Sequence, residues 1–342
     1  MGSGPRQGGS VKSLRLAVLG ALFCAASLCA RTVKDTALAA LIETGRYADA
    51  ERAATARIAS KPDDMDGYAA LTLSVLNGND SAHRETALKL LEACSARLPL
   101  AAMCHYGVGS VLGAQALSQG MLKALGSVGR IRDELTRAVE LDPLLYAARN
   151  ALVQFYLVVP GIAGGSTAKA REIASAASAR QPEHAKLLIA LVDIGQKKHE
   201  QAEAGLASVR AGDDKELAAD VAEVWAQLGF TYLNDRKDAK ARAVFERVVI
   251  DRPNSPRGHY GLGRVFTDSG QFDQAIAAFE LAAALDRTAG LPIDYRAALA
   301  YQAKGDRDKA RTLLARFVAA GKGSKQNLDD AKKRLAQMTE AG

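Results

Sequence analysis

Five histidines, two glycine clusters and four cysteines are the residues through which this 342-residue chain could do chemistry. Their spacing narrows that chemistry sharply. His83, His105, His184, His199 and His259 are scattered, and none forms a His-x-x-x-His pair with a glutamate between. There is no Cys-x-x-Cys either, so no metal-ligand spacing exists and no metal is expected. No serine, histidine and acid set stands out by position, so no catalytic residue and no cofactor is expected. Gly107-Val108-Gly109-Ser110-Val111-Leu112-Gly113 has the glycine spacing of a dinucleotide-binding loop. Such a loop must follow a strand, and none precedes it. Gly161 to Ser166 could form a nest of amide groups ahead of a helix, with Lys169 nearby, and so suit an anion. It lacks the Lys-Ser or Lys-Thr of a phosphate loop. It reads instead as a long connection between helices, whose functional use would be a partner contact.

Compartment follows from the first thirty residues. Arg6, Lys12 and Arg15 precede an apolar run from Leu16 to Ala30, with no acid. Fifteen apolar residues fall short of the roughly 20 that span a bilayer, but they match the core of a secretory signal. Cleavage is expected after Ala30 or after Ala26. The alternatives are an uncleaved anchor flanked by Arg31 and Lys34, or acylation at Cys29. Export removes Cys24 and Cys29 and leaves Cys94 and Cys104 in an oxidising compartment. Leu98-Pro99 lies about midway between them and marks a turn. The pair either forms a disulfide or packs as two buried thiols.

The elements that must position these residues are helices. The chain is 48% apolar but only 5% aromatic, and much of the rest is alanine, the best helix former. No segment keeps a strand period for long. One pattern recurs in register: Trp225, Leu228, Gly229, Tyr232, Ala241, Phe245 and Pro253, then Leu262, Gly263, Phe266, Ala275 and Phe279, then Tyr301, Ala310 and Leu314. Its period is near 34 residues. Weaker copies place a small residue in each second helix at Ala50, Ala87, Ala170 and Ala202, with Pro62, Pro99, Pro143, Pro182 and Pro253 near the helix ends. His105-Tyr106-Gly107-Val108-Gly109 echoes His259-Tyr260-Gly261-Leu262-Gly263. The spacing predicts helix pairs over 35–62, 64–99, 100–143, 144–182, 183–216, 222–255, 256–289 and 291–324, with a capping helix over 327–338. Residues 211–216 are the expected soft joint. Gly270 and Gly305 are expected at inter-helix turns, where a left-handed backbone suits glycine.

With this period and these residues, the stretch 222–324 resembles the tetratricopeptide (TPR) repeat. The segment from Leu141-Asp142-Pro143 through Phe155-Tyr156 to Ser166 resembles one found in exported bacterial members of that family. The resemblance implies an all-α, right-handed superhelical solenoid of antiparallel helix pairs. About seven to eight units and a C-terminal capping helix are expected. It implies a groove that binds a peptide or protein surface, and no catalytic residues. The inner positions are then Phe230, Asn234, Arg257, Tyr260, Arg264, Tyr295 and Gln302. The family's Lys, Asn and Arg clamp for a C-terminal carboxylate is absent, since the matching positions hold Ala226, Gln227, Phe230, Tyr260, Arg264 and Tyr295.

The expected organisation is a signal peptide at 1–30, irregular repeats at 31–216, three regular repeats at 217–324, and a cap and tail at 325–342. The formal charge is +7, and without the three leader cations 42 basic residues face 38 acidic ones. That favours an acidic partner weakly and gives no basic stripe for nucleic acid. The expected function is a non-catalytic scaffold in the periplasm, with membrane contact only if residues 1–30 are retained. The alternatives are an enzyme or small-ligand carrier with its site in the expanded units at 100–182, or a membrane-anchored organiser with the same solenoid.

Overall fold

The computed structural model describes residues 32–78, 81–119, 126–286, 290–321 and 323–340. The leader, including Cys24 and Cys29, lies outside the described residues. Hairpins begin with α1 (Thr36–Glu43) and α2 (Tyr47–Ser60), then α3 (Met65–Asn77) and α4 (Ser81–Arg97). Next come α5 (Ala102–Gln119) with α6 (Val128–Leu141), and α7 (Tyr146–Val158) with α8 (Thr167–Ser175). They continue with α9 (Pro182–Gly195) and α10 (His199–Ser208), then α11 (Lys215–Asn234) and α12 (Asp238–Asp251). The last pairs are α13 (Pro256–Asp268) with α14 (Phe272–Leu285) and α15 (Ile293–Lys304) with α16 (Arg307–Ala320), capped by α17 (Lys325–Glu340). Eight pairs and a cap therefore account for the described helices.

Local chemistry sets the helix starts. Asp35, Asp64, Ser166, Asp214, Ser255 and Asp306 each accept an amide of the first turn as N-caps. Arg57 ties two of these caps together, bonding Asp64 at 2.6 Å and pairing with Asp35 as well. Pro182 opens α9 rather than closing α8, because its missing amide is harmless at the first helical position.

The second helices of the last three hairpins each bury a stripe at i, i+4 and i+7. Ala241, Phe245 and Val248 form it in α12; Ala275, Phe279 and Ala282 in α14; Ala310, Leu314 and Phe317 in α16. The small residue that opens each stripe is essentially inaccessible, as are Ala50, Ala87, Ala170 and Ala202. It lets the two helices of a hairpin close on each other. The glycine run of residues 107–113 lies within α5, where Leu91 and Leu135 pack against Gly107 and Gly109. It serves helix contact, with no phosphate loop.

The packing order explains the curvature. Every first helix, α1 through α13, packs on the next first helix, and every second helix packs on the first helix that follows. Successive second helices make no comparable contact. The stack therefore bends with its first helices on the inside. The α10–α11 step is the most loosely packed of the second-to-first contacts, and the connection there is 209–214: the expected joint at 211–216 gives up Lys215 and Glu216 to α11, which the Asp214 cap starts seven residues before the expected 222.

Most inter-helix turns need one left-handed residue. Gly270 (φ 72°) and Gly305 (φ 95°) supply it cheaply, whereas Lys197 (φ 61°) and Arg236 (φ 59°) fill the same place with a side chain. A non-glycine residue there costs about 1–2 kcal/mol, part of which glycine returns as backbone entropy. Arg236→Gly is therefore expected to stabilise the protein by about 0.5–1 kcal/mol, read as a higher urea midpoint.

Cys94 near the end of α4 and Cys104 at the start of α5 are paired as a disulfide, their Cα atoms 5.7 Å apart. The bond joins the second hairpin to the third. A loop this short constrains the unfolded chain by about 2–3 kcal/mol. Reduction should lower the unfolding free energy of the natural chain by that amount, read from its urea curve, and leave a Cys94→Ala/Cys104→Ala variant unmoved.

Candidate partner-binding face

The inner wall of the regular units is built from α11, α13 and α15. On α13, Arg257, Tyr260 and Arg264 share a face at helical spacing, fixed by the Ser255 cap and Pro256 at the first position. Phe230 comes from α11, and Tyr295, Arg296 and Gln302 from α15.

The aromatic rings are core. Phe230, Tyr260 and Tyr295 are only 5–7% exposed. Phe230 lies 4.9 Å from Phe245 and 5.9 Å from Tyr260, and Tyr260 lies 5.8 Å from Phe279. The rings thus stitch one hairpin to the next and offer a partner little area. Tyr295 packs 5.5 Å from Phe317, and its hydroxyl donates to Asp330 at 2.9 Å. Gln302 accepts from Arg334 at 2.8 Å, so it helps seat α17. Arg257 pairs with Glu223 at 2.9 Å. Asn234 is exposed at the end of α11, one turn beyond Phe230.

Two arginines remain. The Arg264 guanidinium lies 6.0 Å from the Phe230 ring centroid, and that of Arg296 lies 5.4 Å from Tyr295. Among the described residues neither forms an ion pair with an acid, and the Arg296 Nε is buried without a partner. Burial pulls the Arg264 pKa down, and the neighbouring charges of Arg296 and Arg236 act in the same direction, against Tyr260 and Asp268. Arginine stays cationic at neutral pH regardless. The wall therefore holds two charges that repel each other, with Asp268 near Arg264 but no acid in an ion pair with either among the described residues. The sequence pattern placed Arg264 on this wall but not Arg296, whose adjacency to Tyr295 was the available signal.

Further along the same wall, three successive first helices share a buried polar contact that sequence reasoning also missed. Tyr146 of α7 meets His184 of α9 edge-on at 4.4 Å, and its hydroxyl hydrogen-bonds Asp220 of α11. Burial, reinforced by Glu223 and Glu216, raises the Asp220 pKa to about 8. At neutral pH Asp220 is mostly protonated and adds little charge to the wall. An aspartate in the unfolded chain ionises near pH 3.9. Between about pH 4 and pH 8 the folded protein then holds the extra proton, so stability falls as pH rises through that window. Asp220→Asn should flatten this slope, with its largest stabilisation at pH 8.5, checked by urea unfolding at pH 5 and pH 8.5. Asp35 and Asp64 are held low, by the Leu38 amide and Arg57 respectively, and lose their contribution only below pH 4, outside this window.

Among the described residues no group of three or more His, Cys, Asp or Glu side chains is placed to hold a metal ion. No helix among them is long and apolar enough to cross a membrane.

Antiparallel helix pairs stacked in this way define an all-α solenoid of helical repeats. Models of the tetratricopeptide repeat match residues 256–288 and 294–320. Residues 256–320 thus carry tetratricopeptide repeats, and repeats of this kind support a protein-interaction scaffold. Solved structures align with the chain at low identity. The APC/C hetero-tetramer Cut9-Hcn1 aligns at 17% identity and TM-score 0.49, covering 88% of this chain and 54% of that one; this chain spans about half its length. A TPR protein from Parabacteroides merdae aligns at 14% identity and TM-score 0.47, covering 77% and 95%. Pseudomonas aeruginosa pilF aligns at 19% identity and TM-score 0.43, covering 67% and 97%. No curated protein matches the chain.

Proposed function

We propose that this protein is a non-catalytic scaffold, exported to the periplasm, that holds an acidic segment of a partner protein against its inner wall. The observation that carries the reading is the pair Arg264 and Arg296, two half-buried cations backed by aromatic rings and paired with no acid among the described residues. A carboxylate between them relieves their repulsion and supplies the missing counterion. Arg257 and the exposed Asn234 extend the polar surface on either side. Two features support export: the cationic and apolar pattern of residues 1–30, and the Cys94–Cys104 pair, which persists in an oxidising compartment.

The function is tested by capture from periplasmic extract with the natural chain and with an Arg264→Gln/Arg296→Gln variant. Proteins retained by the natural chain are expected to be lost from the variant and eluted by salt. The same set retained by both argues against this wall. Export is tested by the intact mass of the protein made in its own host, expected to begin at Arg31 or Ser27.

A further inference from the structure

The turn between α11 and α12 departs from its neighbours. Gly45, Gly270 and Gly305 take the left-handed place in the α1–α2, α13–α14 and α15–α16 turns, whereas Arg236 takes it here. Lys197 departs in the same way, one hairpin farther from the inner wall. A side chain in that conformation costs stability, and strain retained at one position points to a use for the side chain.

Arg236 is exposed and pairs with no acid among the described residues. The acids around it are engaged elsewhere. Asp235 faces His199 at 3.6 Å, Glu200 pairs with Lys240 at 3.5 Å, and Glu203 accepts from the Tyr232 hydroxyl at 3.0 Å. Asp238 is half-buried at the start of α12. Arg236 stands close enough to Arg264 to repel it, as Arg296 does from the next hairpin, and Asp268 attracts Arg264 without forming an ion pair. The inner wall and this turn therefore share one run of positive charge.

We infer that Arg236 is a third contact for the acidic segment, which runs from the inner wall up to the α11–α12 turn. The three arginines belong to successive hairpins. Arg236 stands at the turn itself, Arg264 six residues before the turn residue Gly270, and Arg296 nine before Gly305. First helices packed side by side lie about 8–10 Å apart, and each helical residue rises about 1.5 Å. The row therefore crosses the wall obliquely, in steps of roughly 13 Å and then roughly 10 Å. An extended segment covers about 3.3 Å per residue, so acids about three to four residues apart meet successive arginines and the whole row takes about seven residues. The partner is thus an extended acidic stretch of that length, with its charges spaced rather than gathered at one point.

This inference rests on the reading that Arg264 and Arg296 hold an acidic segment, and calorimetric titration with glutamate peptides of two lengths separates the two. An acetylated glutamate octapeptide, long enough for all three arginines, is expected to bind Arg236→Gly about three- to fivefold more weakly than the natural chain, although that variant has the higher urea midpoint. Arg236→Gln, which keeps the bulk of the side chain, should show the same loss. A glutamate tetrapeptide covers one step of the row, settles on Arg264 and Arg296, and should bind the natural chain and both variants alike. Natural octapeptide affinity in both Arg236 variants overturns the third contact, and the wall reading stands if Arg264→Gln/Arg296→Gln still loses the peptide. An equal loss for the tetrapeptide overturns the run up to the turn. No octapeptide binding by the natural chain overturns both readings.

Discussion

Phe245→Ala is expected to cost about 3–5 kcal/mol, and to change how the protein unfolds as well as how readily. Phe245 is fully buried in α12, and its ring faces the first helix of its own hairpin and that of the next. A Cβ on Gly229 would stand 2.7 Å from the ring, and one on Gly261 closer still. Those glycines exist to admit this side chain. Truncation leaves a void that backbone on two sides cannot fill. In a linear stack each hairpin leans only on its neighbours, so weakening one junction uncouples the two ends. Calorimetry should show α13 to α17 melting as a separate, earlier transition. Phe245→Leu, which keeps most of the volume, should cost about 1–1.5 kcal/mol and leave a single transition. A loss below about 1 kcal/mol on truncation to alanine would mean that this ring does not join the hairpins.

Arg264→Gln/Arg296→Gln is expected to weaken binding of an acetylated glutamate-rich octapeptide by about 10–100-fold. The same change should leave folding stability unaltered or slightly higher. Ordinary loss of structure lowers both together. Here the two move apart, because the natural wall holds like charges whose repulsion a bound acid relieves. Binding by the natural chain should fall steeply with salt, and binding by the variant should hardly respond. Calorimetric titration at two salt concentrations and a urea curve for each protein check the three statements. Tight, salt-insensitive binding by the variant would move the acidic segment elsewhere.

The repeat was legible because its signature residues do structural work that tolerates few substitutes. Ala241 and Phe245 recur as Ala275 and Phe279, and as Ala310 and Leu314, at the places where hairpins close and nest. The hairpin ranges followed from those anchors, and the capping helix proved longer than the expected 327–338 by two residues at each end. The make-up of the inner wall was less legible. Periodicity shows which face of a helix Phe230, Tyr260 and Tyr295 occupy, but not how far each ring reaches into the gap between helices. Ion pairing was hidden for the same reason. Glu223 lies 34 residues before Arg257, and only the stacking of α13 on α11 brings them together. Asp220 gave no signal because an acid near the start of a helix reads as a favourable dipole contact. Its contact with Tyr146 exists only once three hairpins have nested.

Site-specific photo-crosslinking in the intact cell tests the central claim most directly. A photoreactive residue at Leu299 would sit on the inner wall of α15, and one at the half-exposed Leu281 on the outer face of α14. The account predicts a defined adduct from position 299, mapping to an acidic stretch of one partner, with none from position 281. Adducts from position 281 alone would contradict it.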